Sequence, residues 1–167
     1  MPKITPFLWF DKEAEDAAKL YVSVFPNSKI NKVDYYPGDG PDGVEKGRVM
    51  TVAFELDGQK VIAMNAGPTF KLDEAFSFSI DCDGQDEVDH YWNALTADGG
   101  QESHCGWLKD RYGLSWQVTP RQLIEATTSP DREAAGRAFQ AMLGMKKIDV
   151  AAIQKAFAGE SISSSHP

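Results

Sequence analysis

The stretch CGWLKDRYGLSWQVTP, from Cys105 to Pro120, combines a tight turn with a half-buried strand. The turn is Asp110–Gly113, whose glycine adopts a positive φ without steric cost. From Leu114 to Val118 apolar and polar residues alternate, as they do in a strand with one face in the core. We therefore expect Trp116 to face the core and Gln117 to face the opposite side.

The composition is that of one acidic chain large enough to bury a sizeable core. It has 167 residues, of which 42% are hydrophobic. The formal net charge of -8 repels a phosphate backbone, and the longest basic cluster is Lys146–Lys147, so nucleic acid is excluded as a partner. No apolar run approaches the roughly 20 residues that cross a bilayer, and Met1–Ile4 lacks the apolar stretch of a signal peptide. We expect no membrane partner and a cytoplasmic location.

Two cysteines, Cys82 and Cys105, are present without a Cys-x-x-Cys spacing. This indicates neither a zinc knuckle nor a disulfide framework, so both cysteines are expected to be free thiols. His104 and Cys105 would point to opposite faces of a strand and cannot form a nucleophilic pair. Cys105 is either a buried structural cysteine or a catalytic thiol, and we keep it as a pocket candidate.

A pattern of strand, helix and three strands occurs twice. The first unit has a strand at Ile4–Phe10 and an amphipathic helix that begins at Asp11, its expected N-cap. Its remaining strands are predicted at Ser28–Tyr36, Arg48–Leu56 and Lys60–Asn65, the last two joined by the hairpin turn Asp57–Gly58.

The second unit repeats this order. It has a strand at Phe76–Cys82, a helix from Asp83 that ends before Gly99–Gly100, and shorter strands that end with the Cys105–Pro120 stretch. The helix starts lie 72 residues apart (83 − 11), and the same shift places Thr5 on Ser77 and Phe7 on Ser79.

The doubled βαβββ pattern and the Cys105–Pro120 hairpin resemble the vicinal-oxygen-chelate superfamily, which includes glyoxalase I, extradiol dioxygenases and bleomycin-resistance proteins. Within it they resemble the PhnB-like branch often labelled 3-demethylubiquinone 3-methyltransferase. The resemblance implies an α+β fold in which two βαβββ modules form curved sheets around a shared cup. It also implies a homodimer.

The resemblance and the hydrophobic periodicity together divide the chain. We expect one domain over residues 1–120, with module one at 1–70 and module two at 75–120. A C-terminal helical extension over 121–159 follows, because helical stripes of apolar residues begin after Pro130 and Asp149. Its segment Met145–Ile153 is similar to the C-terminal extension of the PhnB-like branch. Residues 160–167 are expected to be a disordered tail.

One long polar loop, residues 37–47, interrupts the first unit and is rich in glycine, proline and aspartate. It is either a lid or a solvated connector between two strands.

The superfamily implies four strand positions, two in each module, that usually carry His or Glu ligands to one divalent metal. The last falls on Gln117, and its first-module counterpart on Ala63 or Asn65. The two first-strand positions fall near Thr5 and Ser77. None is His, Asp or Glu, so we expect no tightly held metal and no other cofactor, although a weakly bound divalent ion remains possible.

What remains is a neutral set of hydrogen-bonding groups beside aromatic side chains, which is how small organic ligands are usually held. The alternative is that these groups satisfy one another at a module interface. The predicted ligand-binding residues are Thr5, Phe7, Trp9, Asn65, Ser77, Ser79, Cys105 and Gln117.

Two functions are compatible with these residues. One is a metal-free binding protein for a small aromatic or antibiotic-like compound, as the bleomycin-resistance relatives are understood to be. The other is a lyase, isomerase or oxygenase that acts on a small oxygen-rich substrate with a weakly bound divalent ion. A methyltransferase of the common type needs a glycine-rich turn between a strand and a helix, and Gly38–Gly47 opens no helix. The residues favour binding.

Overall fold

The computed structural model describes residues 2–160, so the predicted disordered tail beyond Glu160 lies outside the described residues. The chain divides into two compact units, residues 1–73 and 74–167, and the division falls between the two predicted modules. The first unit contains β1 (Phe7–Phe10), α1 (Ala14–Val24), β2 (Lys29–Tyr35), β3 (Val49–Leu56) and β4 (Gln59–Asn65).

The first unit is built on a four-stranded sheet in the order β1-β4-β3-β2. β1 runs parallel to β4, and the other neighbours are antiparallel. The predicted hairpin turn is confirmed, since Asp57 and Gly58 have φ values of 48° and 81°, as a two-residue turn with both φ positive requires. Helix α1 buries Ala17, Ala18 and Tyr21 with the core residues of this unit.

The second unit repeats the arrangement and adds three helices. It contains β5 (Ser77–Cys82), α2 (Gln85–Thr96), β6 (Gln101–Glu102), β7 (Trp107–Lys109), β8 (Ser115–Pro120), α3 (Arg121–Thr127), α4 (Arg132–Leu143) and α5 (Val150–Phe157). The strand order is β5-β8-β7-β6, with β5 parallel to β8. The expected α+β fold with two βαβββ modules is therefore confirmed, while the shared cup stays a prediction.

The core of the second unit is formed by one face of its sheet and by α2. Ile80, Cys82, Leu108, Trp116 and Val118 are buried on the sheet, and Val88, Trp92 and Leu95 are buried on the helix. The predicted helical extension is confirmed as α3 to α5. It has a core of its own, made by Leu123, Ala126, Ala138, Ile148 and Ile153.

The predicted N-cap positions of the two module helices are wrong by two residues for α1 and one residue for α2. α1 begins at Ala14, after Glu13 at the N-cap position, rather than at Asp11. α2 begins at Gln85, after Gly84. The first strand is also shorter than predicted, because β1 begins at Phe7 and Thr5 precedes it. Within residues 2–160, no helix is long and apolar enough to cross a membrane.

Candidate functional site

The face of the second sheet that points away from α2 carries three of the eight predicted site residues, Ser77, Ser79 and Gln117, and we call it the polar face. Side chains alternate along each strand, so this face is opposite the buried residues Ile80, Leu108 and Trp116. Strand register places its members side by side across β5, β8 and β7: Ser77, Ser79, Ser115, Gln117, Trp107 and Lys109.

Gln117 lies on the polar face, as the alternation predicts. Its neighbours Trp116 and Val118 are 1% and 0% exposed in the core. Across the sheet Gln117 pairs with Ser79 on β5 and with Trp107 on β7. Its Nε2 donates a hydrogen bond of 3.0 Å to Ser77 Oγ. The structure therefore brings three predicted site residues together, and their contact with a ligand stays a prediction.

Asp110 is buried beside the core face of β8 and holds Trp116 there, which keeps Gln117 on the polar face. The side chain is only 3% exposed. Its Oδ1 accepts hydrogen bonds from the backbone N–H groups of Tyr112 and Leu114, at 2.8 and 3.1 Å. Its Oδ2 accepts one from Trp116 Nε1 at 2.8 Å. The carboxylate thus closes the predicted turn and ties Trp116 into the core, which leaves Gln117 on the other side.

The corresponding face of the first sheet, away from α1, has an apolar patch where β1 pairs with β4. It carries Phe7 and Trp9 on β1 beside Ile62 and Met64 on β4. Trp9 Nε1 donates to Gly67 O at 2.9 Å, and the Trp9 ring meets the Phe70 ring edge-on at 5.0 Å between centroids. The two aromatic residues predicted for the site, Phe7 and Trp9, therefore lie on the same face of β1.

The predicted first-module counterpart of Gln117 is wrong. In the second unit Gln117 pairs with Ser79. The shift of 72 residues between the units relates Ser79 to Phe7, and Phe7 pairs with Ile62 in the first unit. The counterpart is thus Ile62, whereas Ala63 and Asn65 point to the helix-covered side. A shift of one residue in register moves a side chain to the other face of a sheet, which is the reason for the error.

On the helix-covered side of the first sheet, Asn65 makes two hydrogen bonds that stabilise the fold. It is 7% exposed, its Oδ1 accepts a hydrogen bond of 2.8 Å from Ala14 N, and its Nδ2 donates to Val49 O at 3.2 Å. The first of these bonds caps α1, because Glu13 at the N-cap position makes no side-chain cap. Asn65 therefore stabilises the start of α1, and its contact with a ligand stays a prediction.

Cys105 lies in a turn that precedes β7. Its φ is +58°, and its N–H donates to Met145 O at 2.8 Å. Gly106 N donates to Lys146 O in the same way, at 2.8 Å. Cys105 is therefore held against the link between α4 and α5, and its role in a pocket stays a prediction.

Cys82 is the more protected of the two free thiols. It is 2% exposed, and burial raises the pKa of its thiol to about 12, with the charges of Glu87 and Asp81 adding to the effect. Because the thiolate is the reactive form, Cys82 is an inert core residue.

The loop at residues 37–47 is tied to the segment that follows β4. Thr69 Oγ1 donates to Asp42 Oδ2 at 2.7 Å, and Tyr36 Oη donates to Asn65 O. A cleft of about 670 Å³ lies beside the loop and the start of α1, with Asp11, Glu15 and Arg48 in its lining. These contacts anchor the loop to the segment after β4, and its role as a lid or as a connector stays a prediction.

Metal ligands are scarce in the described part of the chain. Between residues 2 and 160, no three His, Cys, Asp or Glu side chains are placed so that they could hold a metal ion. The polar face offers hydroxyl, amide, indole and ammonium groups instead. Such groups are suited to hydrogen bonding of an organic molecule and are weak or unsuitable ligands for a transition metal.

The sequence prediction missed two members of the polar face, Lys109 and Ser115. Both belong to the Cys105–Pro120 stretch, and β7 and β8 place them directly opposite each other. Alternation from Trp107 through Lys109 is the signal that indicates them, since Leu108 between them is 1% exposed. Their proximity depends on the hairpin register.

Comparison with known proteins points to one family. The family model for 3-demethylubiquinone-9 3-methyltransferase matches residues 2–119. A PhnB protein from Bacillus cereus is 31% identical, with 71% of this chain and 99% of that chain covered and a TM-score of 0.63. A protein from Pseudomonas aeruginosa is 21% identical, with 72% and 98% covered and a TM-score of 0.58, and shows the fold alone. No curated protein matches the chain.

Proposed function

The chain belongs to the family described as 3-demethylubiquinone-9 3-methyltransferase, a PhnB-like branch with the vicinal-oxygen-chelate fold, and we propose that it binds a small organic molecule without a tightly held metal. The observation that carries the proposal is the Gln117–Ser77 hydrogen bond of 3.0 Å on the polar face. At the position where relatives usually have a carboxylate, this chain has a neutral amide already engaged with a hydroxyl. Trp107 and Ser79 flank it with an aromatic surface and a second hydroxyl.

Methyl transfer with a nucleotide-like cofactor receives no support from the described residues. Such a site requires a glycine-rich turn between a strand and a helix. In residues 2–160, the β1–α1 connection contains no glycine, the β5–α2 connection contains only Gly84, and β8 leads directly into α3. The described residues therefore lack the cofactor-binding turn that the methyl transfer named in the family description would require.

The enzyme hypothesis, a metal-assisted lyase, isomerase or oxygenase, has weaker support. It requires a divalent ion held by Gln117, Ser77 and Ser79, which supply neutral oxygens and no imidazole or carboxylate. First-row transition metals prefer imidazole, thiolate or carboxylate ligands, so such an ion would be held weakly.

Elemental analysis of the purified chain tests the metal part of the proposal. We expect Zn, Ni, Fe and Mn to be far below one atom per chain. Gln117→Glu adds the missing carboxylate, so this variant should retain more divalent ion than the wild type after the same dialysis. One bound metal per wild-type chain that is lost in Gln117→Ala would contradict the proposal.

Ligand binding is tested by screening small aromatic compounds by NMR. The side-chain amide of Gln117 and the indole N–H of Trp107 should shift in the presence of a ligand, and Gln117→Ala should weaken its binding. Gln59→Ala is the matched control, because it removes an exposed amide from β4 of the other unit. Equal weakening by the two variants would contradict a specific role for Gln117.

We also propose a homodimer in which the helical extension takes part. Three of its large apolar side chains are about half exposed: Ile124 at 49%, Phe139 at 45% and Leu143 at 47%. Phe139 and Leu143 are four residues apart on α4 and so share one side of that helix. The cytoplasmic location stays a prediction.

A further inference from the structure

A cavity of about 380 Å³ opens on the second unit, and its lining includes Glu74, Trp107, Lys109 and Ser115. We propose that it binds the anionic group of a small organic acid, with Lys109 and Ser115 as donors and Glu74 as the anion that the ligand displaces. This inference rests on the proposed function, because it assigns a chemical class to the ligand of the polar face.

Ser115 is the first observation that points to a ligand. The residue is 1% exposed, and its Oγ has no hydrogen-bond partner among the described residues. A buried hydroxyl without a partner is unfavourable, and such groups in native proteins normally mark a missing partner. Since Ser115 lines the cavity, a ligand oxygen in the cavity is the partner that fits.

Lys109 is the second observation. It lies directly opposite Ser115 in the β7–β8 register. Residues paired in this way have Cβ atoms about 4.5–5.5 Å apart on one face of the sheet, so a single carboxylate can accept hydrogen bonds from both side chains. Trp107 lies two residues before Lys109 on the same face and offers an aromatic surface to the rest of the ligand.

Glu74 shows that this position already accepts a carboxylate. Its Oε1 lies 3.0 Å from Lys109 Nζ, and its side chain is 68% exposed. The hydrogen bond from Lys109 lowers the pKa of Glu74, so the carboxyl group is ionised at neutral pH. An exposed ion pair contributes little to stability, and a ligand anion can therefore replace Glu74 at small cost.

The other acid in the lining does not make the cavity a cation site. Glu102 accepts a hydrogen bond of 2.6 Å from Trp92 Nε1, so its carboxylate is engaged with the core. Lys109 is 31% exposed and is paired with a carboxylate that can move away. When Glu74 leaves, the lining still offers the Lys109 ammonium group and the Ser115 hydroxyl as donors, and these two groups together suit an anion.

Benzoate and benzamide test the inference, because they have nearly the same shape and differ in charge. In NMR titrations of the full chain, benzoate should shift the Ser115 amide and the Trp107 indole N–H, and benzamide should bind about tenfold more weakly. Lys109→Met should weaken benzoate binding by about tenfold. Glu74→Gln should strengthen it severalfold, because the competing anion is gone.

Lys32→Met is the control, since it breaks an exposed ion pair with Asp34 in the other unit and should leave benzoate binding unchanged. Benzoate binding that Glu74→Gln leaves unchanged or weakens would overturn the inference. Equal binding of benzoate and benzamide, or shifts from neither, would overturn it as well. The NMR screen that compares wild type with Gln117→Ala uses aromatic compounds of any charge. It therefore tests the proposed binding function independently of the proposal that the ligand is an anion.

Discussion

At the scale of single residues, Gln117 and Trp116 are chain neighbours with opposite surroundings. Gln117 is partly exposed on the polar face, where its described side-chain hydrogen bond goes to Ser77. Gln117→Ala should therefore change the free energy of unfolding by less than about 1 kcal/mol. Trp116→Ala truncates a side chain that is 1% exposed and should cost about 3–5 kcal/mol. Urea unfolding of both variants makes the comparison, and the reverse order would mean that the two faces of β8 are interchanged.

Asp110 is a buried acceptor whose removal leaves several donors unsatisfied. Asp110→Ala deprives Tyr112 N, Leu114 N and Trp116 Nε1 of their carboxylate partner. We expect a loss of roughly 3 kcal/mol or more in the free energy of unfolding. Asp98→Asn is the control, because asparagine tolerates the positive φ of 54° at this position, the side chain is 79% exposed, and the ion pair that it loses is with Arg111. A similar loss in both variants would show that the buried network is unimportant.

At the scale of secondary-structure elements, α1 depends on a cap supplied by β4. Asn65→Ala removes the acceptor of Ala14 N and the donor to Val49 O in a buried place. The expected cost is about 1–3 kcal/mol, measured by thermal or urea unfolding. Asp11→Ala, at the N-cap position that the sequence predicts, should cost less than about 0.5 kcal/mol. A larger loss of stability in Asp11→Ala than in Asn65→Ala would mean that Asp11 is the N-cap of α1 after all.

The link between α4 and α5 is a further element whose position depends on tertiary contacts. It receives backbone hydrogen bonds from Cys105 and Gly106. Gln85, at the start of α2, also holds it, since its Oε1 accepts from Val150 N at 2.8 Å and its Nε2 donates to Ile148 O at 3.1 Å. The extension is thus fastened to the second module at two places, although the family match ends at Thr119.

At the scale of the whole molecule, the proposed dimer is tested best by surface substitutions. Deletion of residues 131–167 would also remove Ala138, Ile148 and Ile153 from the core around Leu123. The double variant Phe139→Ser/Leu143→Ser changes exposed side chains only. Light scattering should give about twice 18.4 kDa for the wild type and a monomer for this variant. Gln140→Ser, on the same helix, should remain dimeric, and a wild-type monomer at micromolar concentration would contradict the proposal.

Local signals in the sequence determined the order of elements and the family. Alternation assigned Trp116 and Gln117 to opposite faces of β8, and Asp57–Gly58 predicted the hairpin turn that the structure shows. The doubled pattern and the Cys105–Pro120 stretch led to the PhnB-like branch. These features depend on neighbouring residues, because periodicity and turn conformation are properties of short segments.

Only the tertiary structure decided which side chains meet. Asn65 caps α1, Ile62 takes the place expected for Ala63 or Asn65, and the Cys105 turn contacts the extension. Lys109 and Ser115 became a pair through the register of β7 and β8. Pairing between strands is a non-local choice, and a shift of one residue reverses every face, so the sequence of a single strand cannot specify its partners.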